Sequence, residues 1–314
     1  MAISHLAFVF PGQGSQYVGM GKDLSAEFAL ARETFAEADD ALGFSLSGLC
    51  FDGPEADLKL TENTQPAILA ASIAALRVLE AETPLRPVFV AGHSLGEYSA
   101  LVAVGALQFN DAVKVVRERG RLMQQAVPAG QGAMAVVLGL EMDAVGALCV
   151  DAACGEVVSP ANFNGAGQVV IAGAKNAVER AMALAKERGA KRVLDLPVSA
   201  PFHCQLMQPA AEGLERTLHD IAVQPFDIGV ITNAEADVNR SAVRVKTLLI
   251  EQAVRPVRWE ESVKKLVALN CHRAIEIGPG KILKGLMKRI APNMELENFE
   301  TPQDLSKVVA AWSQ

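Results

Sequence analysis

The sequence has 314 residues, half of them apolar and 21% charged, so the chain can bury a large core and intrinsic disorder is excluded. Its 29 basic and 36 acidic side chains give a net charge of −7 at pH 7. That balance argues against a general nucleic-acid-binding protein, because such proteins carry an excess of basic charge. The length fits one large domain or two of medium size.

Two further features bear on the cellular setting. The five cysteines form no CxxC pair, so we predict reduced thiols and neither a zinc site nor a disulfide framework. No apolar run approaches the roughly 20 residues that span a bilayer, and the N-terminus has no cationic leader. We therefore expect a cytoplasmic protein that does not enter membranes.

The first part of the chain alternates between strand and helix patterns. Pro11 stops the first apolar run, Ser25 stands where a helix N-cap is favoured, and Pro66 fits the first turn of an apolar helix. In chain order we predict a strand at 6–10, helices at 25–41 and 66–81, a strand at 88–91, and helices at 95–106 and 110–125. This alternation is typical of an α/β sheet with helices on both faces.

The middle of the chain has another order of elements, βαββαβ, which is that of the ferredoxin-like unit. The predicted elements are a strand at 133–138, a helix at 142–153, strands at 156–161 and 168–172 joined by a turn at 162–165, a helix at 175–188 and a strand at 192–196. We predict a ferredoxin-like subdomain at 129–197, inserted into a large α/β domain formed by 1–128 and 198–314. The second part of that domain is predicted to add strands at 228–232 and 274–277 and helices at 241–254, 258–269, 281–290 and 302–312.

The pentapeptide GHSLG at 92–96 matches the pattern GxSxG between a predicted strand and a predicted helix. In a nucleophile elbow of this kind the serine is exposed at the positive end of the helix, and the next N–H, here that of Leu95, faces a developing oxyanion. The alternative is a chance match at a helix that is capped by serine. The flanking strand and helix favour the elbow, so Ser94 is the candidate nucleophile.

A serine nucleophile needs a base, and His203 is the best of the five histidines by elimination. It lies in a proline-bounded loop before a helix. His93 belongs to the elbow, and we expect its side chain to point away from that of the serine. Cys204 is interpreted as a packing residue because no elbow surrounds it. The remaining histidines lie at the wrong end of predicted strands or in a solvated helix: His5, His272 and His219.

Five motifs follow one another along the chain: FPGQGSQ at 10–16, TQP at 64–66, GHSLGEY at 92–98, PFH at 201–203 and GPG at 278–280. Each alone is moderately specific, but the ordered set closely resembles the malonyl-CoA:acyl carrier protein transacylases. The resemblance covers essentially the whole chain, including the inserted subdomain. It implies that the parallel sheet of the large domain is α/β-hydrolase-like.

The resemblance implies that malonyl passes from malonyl-CoA to the phosphopantetheine thiol of acyl carrier protein by a ping-pong mechanism, for use in fatty-acid synthesis. Ser94 would carry the malonyl group, and His203 would serve as base and acid. The backbone N–H groups of Gln13 and Leu95 would form the oxyanion hole, since the glycines beside Gln13 let a donor approach closely. A phosphate loop is the alternative for this glycine-rich segment, but no GK[ST] follows at the required spacing.

The family's carboxylate-binding arginine corresponds to Arg119, whose guanidinium could hold the malonyl carboxylate through two parallel hydrogen bonds. Spacing alone does not separate it from Arg117 and Arg121. Gln65 corresponds to a glutamine that lines the site. Phe202 resembles the malonyl-selective pattern, because a ring there fills the space that an α-methyl group needs.

Two further residues match positions that support the histidine, Asn233 and Gln252. In the family a backbone carbonyl near Gln252 takes the place of an aspartate as the group that orients the histidine. The resemblance implies no bound cofactor and no metal.

Acyl carrier proteins are acidic, so an acidic transacylase needs a local basic patch for transient docking. Two groups of basic residues are candidates, and an ordinary solvated surface is the alternative for each. One is Lys281, Lys284, Lys288 and Arg289, predicted to lie opposite Ile282, Leu286 and Ile290 on a helix; the other is Lys186, Arg188, Lys191 and Arg192. We expect a monomer with no nucleic-acid or membrane partner.

Two other functions remain open on the sequence alone. A serine thioesterase or hydrolase would share Ser94, but it would use water as acceptor and would give Arg119 no role. A non-catalytic acyl-binding module would form no covalent adduct on Ser94.

Overall fold

The computed structural model describes residues 5–198 and 200–312. Within them the strands are β1 (Leu6–Phe10), β2 (Phe89–Gly92), β3 (Gly132–Leu138), β4 (Val158–Gly165), β5 (Gln168–Ala174), β6 (Arg192–Asp195), β7 (Gly229–Ile231), β8 (Val238–Asn239), β9 (Arg273–Ile277) and β10 (Glu295–Phe299). The α-helices are α1 (Lys22–Glu27), α2 (Ala29–Leu42), α3 (Leu46–Asp52), α4 (Glu55–Leu58), α5 (Thr61–Glu82), α6 (Gly96–Ala103), α7 (Phe109–Gln125), α8 (Met142–Ala153), α9 (Lys175–Glu187), α10 (Gln208–His219), α11 (Ala242–Val254), α12 (Trp259–Ala268), α13 (Ile282–Ile290) and α14 (Pro302–Trp312).

The larger sheet has the strand order β10-β9-β1-β2-β7-β8, and its strands are parallel except for the short edge strand β8. The five residues of β1 are fully buried, and they alternate between two cores. Leu6, Phe8 and Phe10 pack with helices α2, α5 and α7, whereas Ala7 and Val9 pack with α12 and α13. A parallel strand with helices on both faces is apolar throughout, which confirms the predicted α/β class.

The smaller sheet is antiparallel, with the strand order β4-β5-β3-β6. Helices α8 and α9 cover one face through a core of small aliphatic side chains. The other face packs against α7 of the larger unit and against the 200–210 segment, with Met134, Met123 and Phe202 in contact there. The βαββαβ order is confirmed, and the division into 1–128, 129–197 and 198–314 stays a prediction.

The predicted helix at 25–41 is in fact two helices, so the N-cap prediction for Ser25 is wrong. Ser25 lies inside α1, and an extended backbone at Phe28 (φ −111°, ψ 125°) separates α1 from α2. The apolar spacing continues across this break because Leu24 and Phe35 enter the same core. Periodicity alone therefore could not locate the break.

The first-turn position predicted for Pro66 is also wrong, because α5 begins upstream at Thr61. The polar residues before the proline start the helix: the hydroxyl of Thr64 donates a hydrogen bond to the carbonyl of Leu58 at 2.5 Å. Pro66 removes one N–H donor from the helix interior, and the long apolar packing of α5 tolerates the loss.

The turn predicted at 162–165 lies instead at Ala166 and Gly167, both of which have positive φ angles. Residues 162–165 belong to β4, where Asn162 pairs with Val170 of β5. The asparagines suggested a turn, but Asn162 lines the neighbouring cavity and the side chain of Asn164 contacts His93. Two short edge strands, β8 and β10, were missed because their sequences are polar or only two residues long.

No helix in the described parts of the chain is both long enough and apolar enough to cross a membrane.

Candidate active site

Ser94 lies on a tight turn between β2 and α6, with a positive φ of 51°. The flanking glycines are required by contact distance. A Cβ on Gly92 would lie 1.9 Å from the carbonyl carbon of Gly96, and a Cβ on Gly96 would lie 2.1 Å from the carbonyl oxygen of Phe10. The strand–turn–helix geometry is therefore that of a nucleophile elbow.

Ser94 and His203 are in direct contact. Ser94 Oγ lies 2.7 Å from His203 Nε2, and His203 Nδ1 lies 2.8 Å from the backbone carbonyl oxygen of Gln252. Because that carbonyl can only accept, Nδ1 carries the proton and Nε2 is free to accept the serine proton. The tautomer is thus assigned from the network.

His203 is 3% exposed and its backbone has a positive φ of 59°. Burial, followed by the nearby charge of Arg119, lowers its pKa to about 3. The imidazole is therefore neutral at neutral pH, which is the state in which it can accept a proton.

Arg119, on α7, is 2% exposed and reaches the serine. Its Nη2 donates to Ser94 Oγ at 3.1 Å and to Gln252 Oε1 at 2.9 Å, and its Nη1 donates to Gln65 Oε1 at 2.7 Å. The alternatives that spacing left open lie elsewhere. Arg117 stacks on the Phe44 ring, and Arg121 pairs with Glu118 at the surface.

Two amide side chains hold the elbow from behind. Asn233 Oδ1 accepts a 2.6 Å hydrogen bond from the N–H of Ser94, and its Nδ2 donates to the carbonyl of Gly92. Gln252 Nε2 donates to the carbonyl of Ser94 at 3.0 Å. Gln252 Nε2 and the backbone N–H of Asn233 also donate to Glu97, a buried residue of α6 that the sequence reasoning missed.

The segment after Gln252 is connected to the smaller sheet. The N–H of Val257 donates to the carbonyl of Ala161, and its carbonyl accepts from the N–H of Phe163 on β4. The residue that contacts His203 Nδ1 is therefore five residues away from a backbone junction between β4 and the segment that connects α11 to α12.

The two expected backbone donors, Gln13 and Leu95, both line the cavity at Ser94. Among the hydrogen bonds of residues 5–198 and 200–312, neither N–H is the donor of any. The turn that carries Gln13 lies against the elbow: a Cβ on Gly12 would lie 2.3 Å from the carbonyl oxygen of His93.

The cavity has a volume of about 120 Å³ and lies between the two sheets. Met134 of β3 and Asn162 of β4 line it from the smaller sheet, and Phe202, which is 9% exposed, lines it beside the histidine. Gln65, Arg119 and His203 complete the polar wall. The site residues predicted from the sequence thus lie in its wall or directly behind it.

His93 also lines this cavity, which its sequence position did not indicate. Its Nε2 lies 2.9 Å from Asn164 Oδ1, and its ring lies 5.7 Å from that of Trp259. Asn164 could have been found only from the alternation of β4, which directs residues 162 and 164 to the same face.

The other histidines and Cys204 lie outside this arrangement. His219 ends α10 at the surface rather than lying inside the helix, and the ring of His5 lies 5.6 Å from that of His272 at an angle of 39°. Burial raises the pKa of Cys204 to about 11, so its thiol stays protonated. No cluster of His, Cys, Asp and Glu within the described ranges could hold a metal ion.

One arginine from each of the two basic groups lies at the same end of the smaller sheet. Arg289 of α13 donates to the side chain of Gln168 at 3.2 Å; Gln168 pairs with Leu138, which pairs in turn with Arg192. Neighbouring strands are about 5 Å apart, so Arg192 begins about 10 Å from Gln168. Lys191 and Lys288 flank this row in sequence, and we call these four cations the junction patch: Lys191, Arg192, Lys288 and Arg289.

The apolar face predicted for α13 needs correction. Ile282 is 46% exposed, and the buried face is formed by Leu283, Leu286 and Met287. Lys284 pairs with Glu297, and Arg188 pairs with Asp151, so each of these two cations has a carboxylate partner at the surface.

Comparisons with known proteins agree on one family. The acyl transferase domain family matches residues 7–295. The malonyl CoA-acyl carrier protein transacylase of Haemophilus influenzae is 52% identical over 290 residues, which are 92% of this chain and 93% of that protein. An acyl carrier protein S-malonyltransferase from Vibrio cholerae has a TM-score of 0.95 at 52% identity, over 97% of this chain and 100% of that one.

A malonyl-transacylase solved in complex with a type II PKS acyl-carrier protein has a TM-score of 0.96 at 45% identity, covering 98% of this chain and 100% of that chain. The sequence and the structure therefore both match these relatives over nearly the full length of the chain. The chain belongs to the acyl transferase family, and within it to the malonyl CoA-acyl carrier protein transacylases.

Proposed function

We propose that this chain transfers malonyl from malonyl-CoA to the phosphopantetheine thiol of acyl carrier protein through a malonyl-Ser94 intermediate, and that the product enters fatty-acid synthesis. One observation carries the proposal: Ser94 Oγ lies 2.7 Å from His203 Nε2 and 3.1 Å from Arg119 Nη2 in one cavity. A serine with a base and a buried guanidinium suits an acyl group that bears its own carboxylate.

The first half-reaction acylates the enzyme. His203 Nε2 takes the proton from Ser94 as Oγ attacks the thioester carbonyl, and the oxyanion is held by the N–H groups of Gln13 and Leu95. When the C–S bond breaks, His203 gives the proton to the departing thiolate and coenzyme A leaves as a thiol. The backbone carbonyl of Gln252 holds the imidazole in the required tautomer throughout.

The second half-reaction runs the same steps in reverse with a new thiol. His203 deprotonates the phosphopantetheine thiol, the thiolate attacks the malonyl ester, and Ser94 Oγ recovers the proton as it leaves. Asn233 supports this cycle by fixing the turn on both sides of the serine.

Arg119 selects the malonyl group. The carboxylate would take hydrogen bonds from Nη1 and Nη2 and would displace the contact of Nη2 with Ser94 Oγ, which leaves the hydroxyl to His203. Gln65 holds Nη1 at 2.7 Å and so sets the plane of the guanidinium. Phe202 occupies space beside the histidine that a branched acyl group would need.

The carrier is proposed to dock on the junction patch, because strand pairing and the contact of Arg289 with Gln168 place cations of both basic groups at one end of the smaller sheet, and β3 of that sheet also lines the cavity. Complementary charge speeds such transient encounters and weakens with salt. We further propose that the chain acts as a cytoplasmic monomer, with a large domain of 1–128 and 198–314 around a subdomain of 129–197.

Intact-mass analysis after brief exposure to malonyl-CoA tests the function. We expect one malonyl adduct, absent in Ser94→Ala, that pantetheine discharges much faster than water does. Ser99→Ala, which removes a buried hydroxyl on the same helix, is the matched control and should load normally. Faster discharge by water would support a thioesterase, and an adduct on Ser94→Ala would refute the serine mechanism.

A further inference from the structure

Helix α6 carries a buried carboxylate that the mechanism above does not use. Glu97 is 1% exposed, lies one helical turn after Ser94, and is not among the described residues that line the cavity. A carboxylate in such a place is costly unless hydrogen bonds compensate its burial. Its partners therefore indicate what it is retained for.

One oxygen of Glu97 accepts two hydrogen bonds. Oε2 lies 2.8 Å from Gln252 Nε2 and 3.0 Å from the backbone N of Asn233. Each partner makes a further contact at the site: Asn233 with the N–H of Ser94, and Gln252 with both Ser94 and Arg119. The hydrogen bonds of Glu97 thus reach the reacting groups through these two residues.

The amide of Gln252 can be satisfied in one orientation only. Its Nε2 faces two acceptors, the carboxylate of Glu97 and the carbonyl of Ser94, while its Oε1 faces the Nη2 donor of Arg119. A rotation by 180° would bring Oε1 against both acceptors and the NH₂ group against the guanidinium. Unmatched contacts between buried groups cost more than the hydrogen bonds themselves contribute.

We propose that Glu97 is a positioning residue for malonyl recognition: by fixing the amide of Gln252, it holds the guanidinium of Arg119 ready for the malonyl carboxylate. The inference rests on the proposed function of this site. The proposal also explains why the side-chain amide of Gln252 stands between Glu97 and Arg119. A direct bidentate pair would occupy the donors that the substrate carboxylate needs, whereas Gln252 takes up only one of them.

Two conservative variants separate geometry from charge. In Glu97→Gln the amide oxygen can replace Oε2 and accept both hydrogen bonds, although the charge is gone. In Glu97→Asp the charge remains, but the carboxylate is withdrawn by one carbon–carbon bond, about 1.5 Å, which breaks both contacts.

The readout is the acylation rate of Ser94 with malonyl-CoA divided by its acylation rate with p-nitrophenyl acetate. The second substrate is an activated ester without a carboxylate. We expect Glu97→Gln to keep the wild-type ratio within about threefold and Glu97→Asp to lower it about tenfold or more, mainly through a higher KM for malonyl-CoA. Ser94→Ala supplies the background for both substrates.

Glu276→Asp is the matched control, because Glu276 is also 1% exposed and accepts two N–H bonds, from Leu283 and Lys284. It should leave the ratio unchanged.

The opposite order, with Glu97→Gln impaired and Glu97→Asp intact, would show a charge effect and overturn the proposal. Equal losses for both substrates would show a structural role only and also overturn it. If Glu97→Asp does not fold, a changed ratio in Glu97→Gln still refutes the proposal and an unchanged one supports it. A wild-type protein that forms no malonyl-Ser94 would instead refute the proposed function.

Discussion

Replacing Arg119 with methionine should abolish the preference for malonyl while sparing the serine. The substitution keeps an unbranched stem in the pocket but removes the charge and the Nη1 and Nη2 donors, which now contact Gln65, Gln252 and Ser94. The malonyl carboxylate would lose two charge-assisted hydrogen bonds. At about 1.5–3 kcal/mol each, the sum is about 3–6 kcal/mol, or roughly 10²- to 10⁴-fold in kcat/KM.

The assay compares kcat/KM for malonyl-CoA with that for p-nitrophenyl acetate. We expect the acetate ester to react within about threefold of the wild-type rate, since the contact between Ser94 and His203 does not depend on the guanidinium. Arg119→Lys, which keeps the charge on a single nitrogen, should fall between the two. A loss smaller than about tenfold for malonyl-CoA, or an equal loss for both substrates, would refute the role given to Arg119.

Three further outcomes are expected. The pKa of His203 is lowered from 6.5 to about 3, so between these pH values the unfolded chain binds a proton that the folded chain does not, and the free energy of unfolding rises with pH. In urea titrations, the free energy of unfolding of His203→Gln should rise less with pH than that of the wild type. The same rise in both proteins would contradict the pKa assigned to His203. Arg289→Glu should raise the KM for carrier protein about tenfold at low salt without changing malonyl loading, whereas Lys114→Glu on α7, beside acidic residues of α2, should change neither; equal effects would remove the junction patch as the docking surface. Gly12→Ala would push a Cβ to 2.3 Å from the carbonyl of His93 and should slow acylation at least about tenfold, while Gly14→Ala, which meets open space, should cost stability only; similar rates for both would contradict this account.

The nucleophile and its base could be found from sequence because their constraints are local. Ser94 needs a strand, a tight turn with small flanking residues and a helix, and all of these leave a trace within ten residues. His203 could be identified as the base by elimination, because the chain has only five histidines. The alternation of apolar runs likewise predicted both sheets, because burial on one or two faces sets the period of the pattern.

Contacts between distant segments could not be predicted in the same way. Arg117, Arg119 and Arg121 are the same residue type on one helix, and only packing determines which of them enters the cavity. Glu97 stands in a mostly apolar helix, but an isolated acidic residue gives no sequence signal of its partners. The two basic groups are about 100 residues apart in sequence, and they meet only because strand pairing brings 138, 168 and 192 into one row.

The backbone junction at Val257 has a consequence for how this fold can be altered. The carbonyl that accepts the hydrogen bond of His203 belongs to a segment whose end is hydrogen-bonded to β4. The position of the base therefore depends on the position of the smaller sheet. A chimaera that imports another protein's smaller sheet would keep its nucleophile, which lies between β2 and α6 of the larger unit, but the imported sheet would not match the segment that supports the histidine. Grafts that exchange β4 together with residues 252–258 should therefore retain turnover where simpler exchanges of the subdomain lose it.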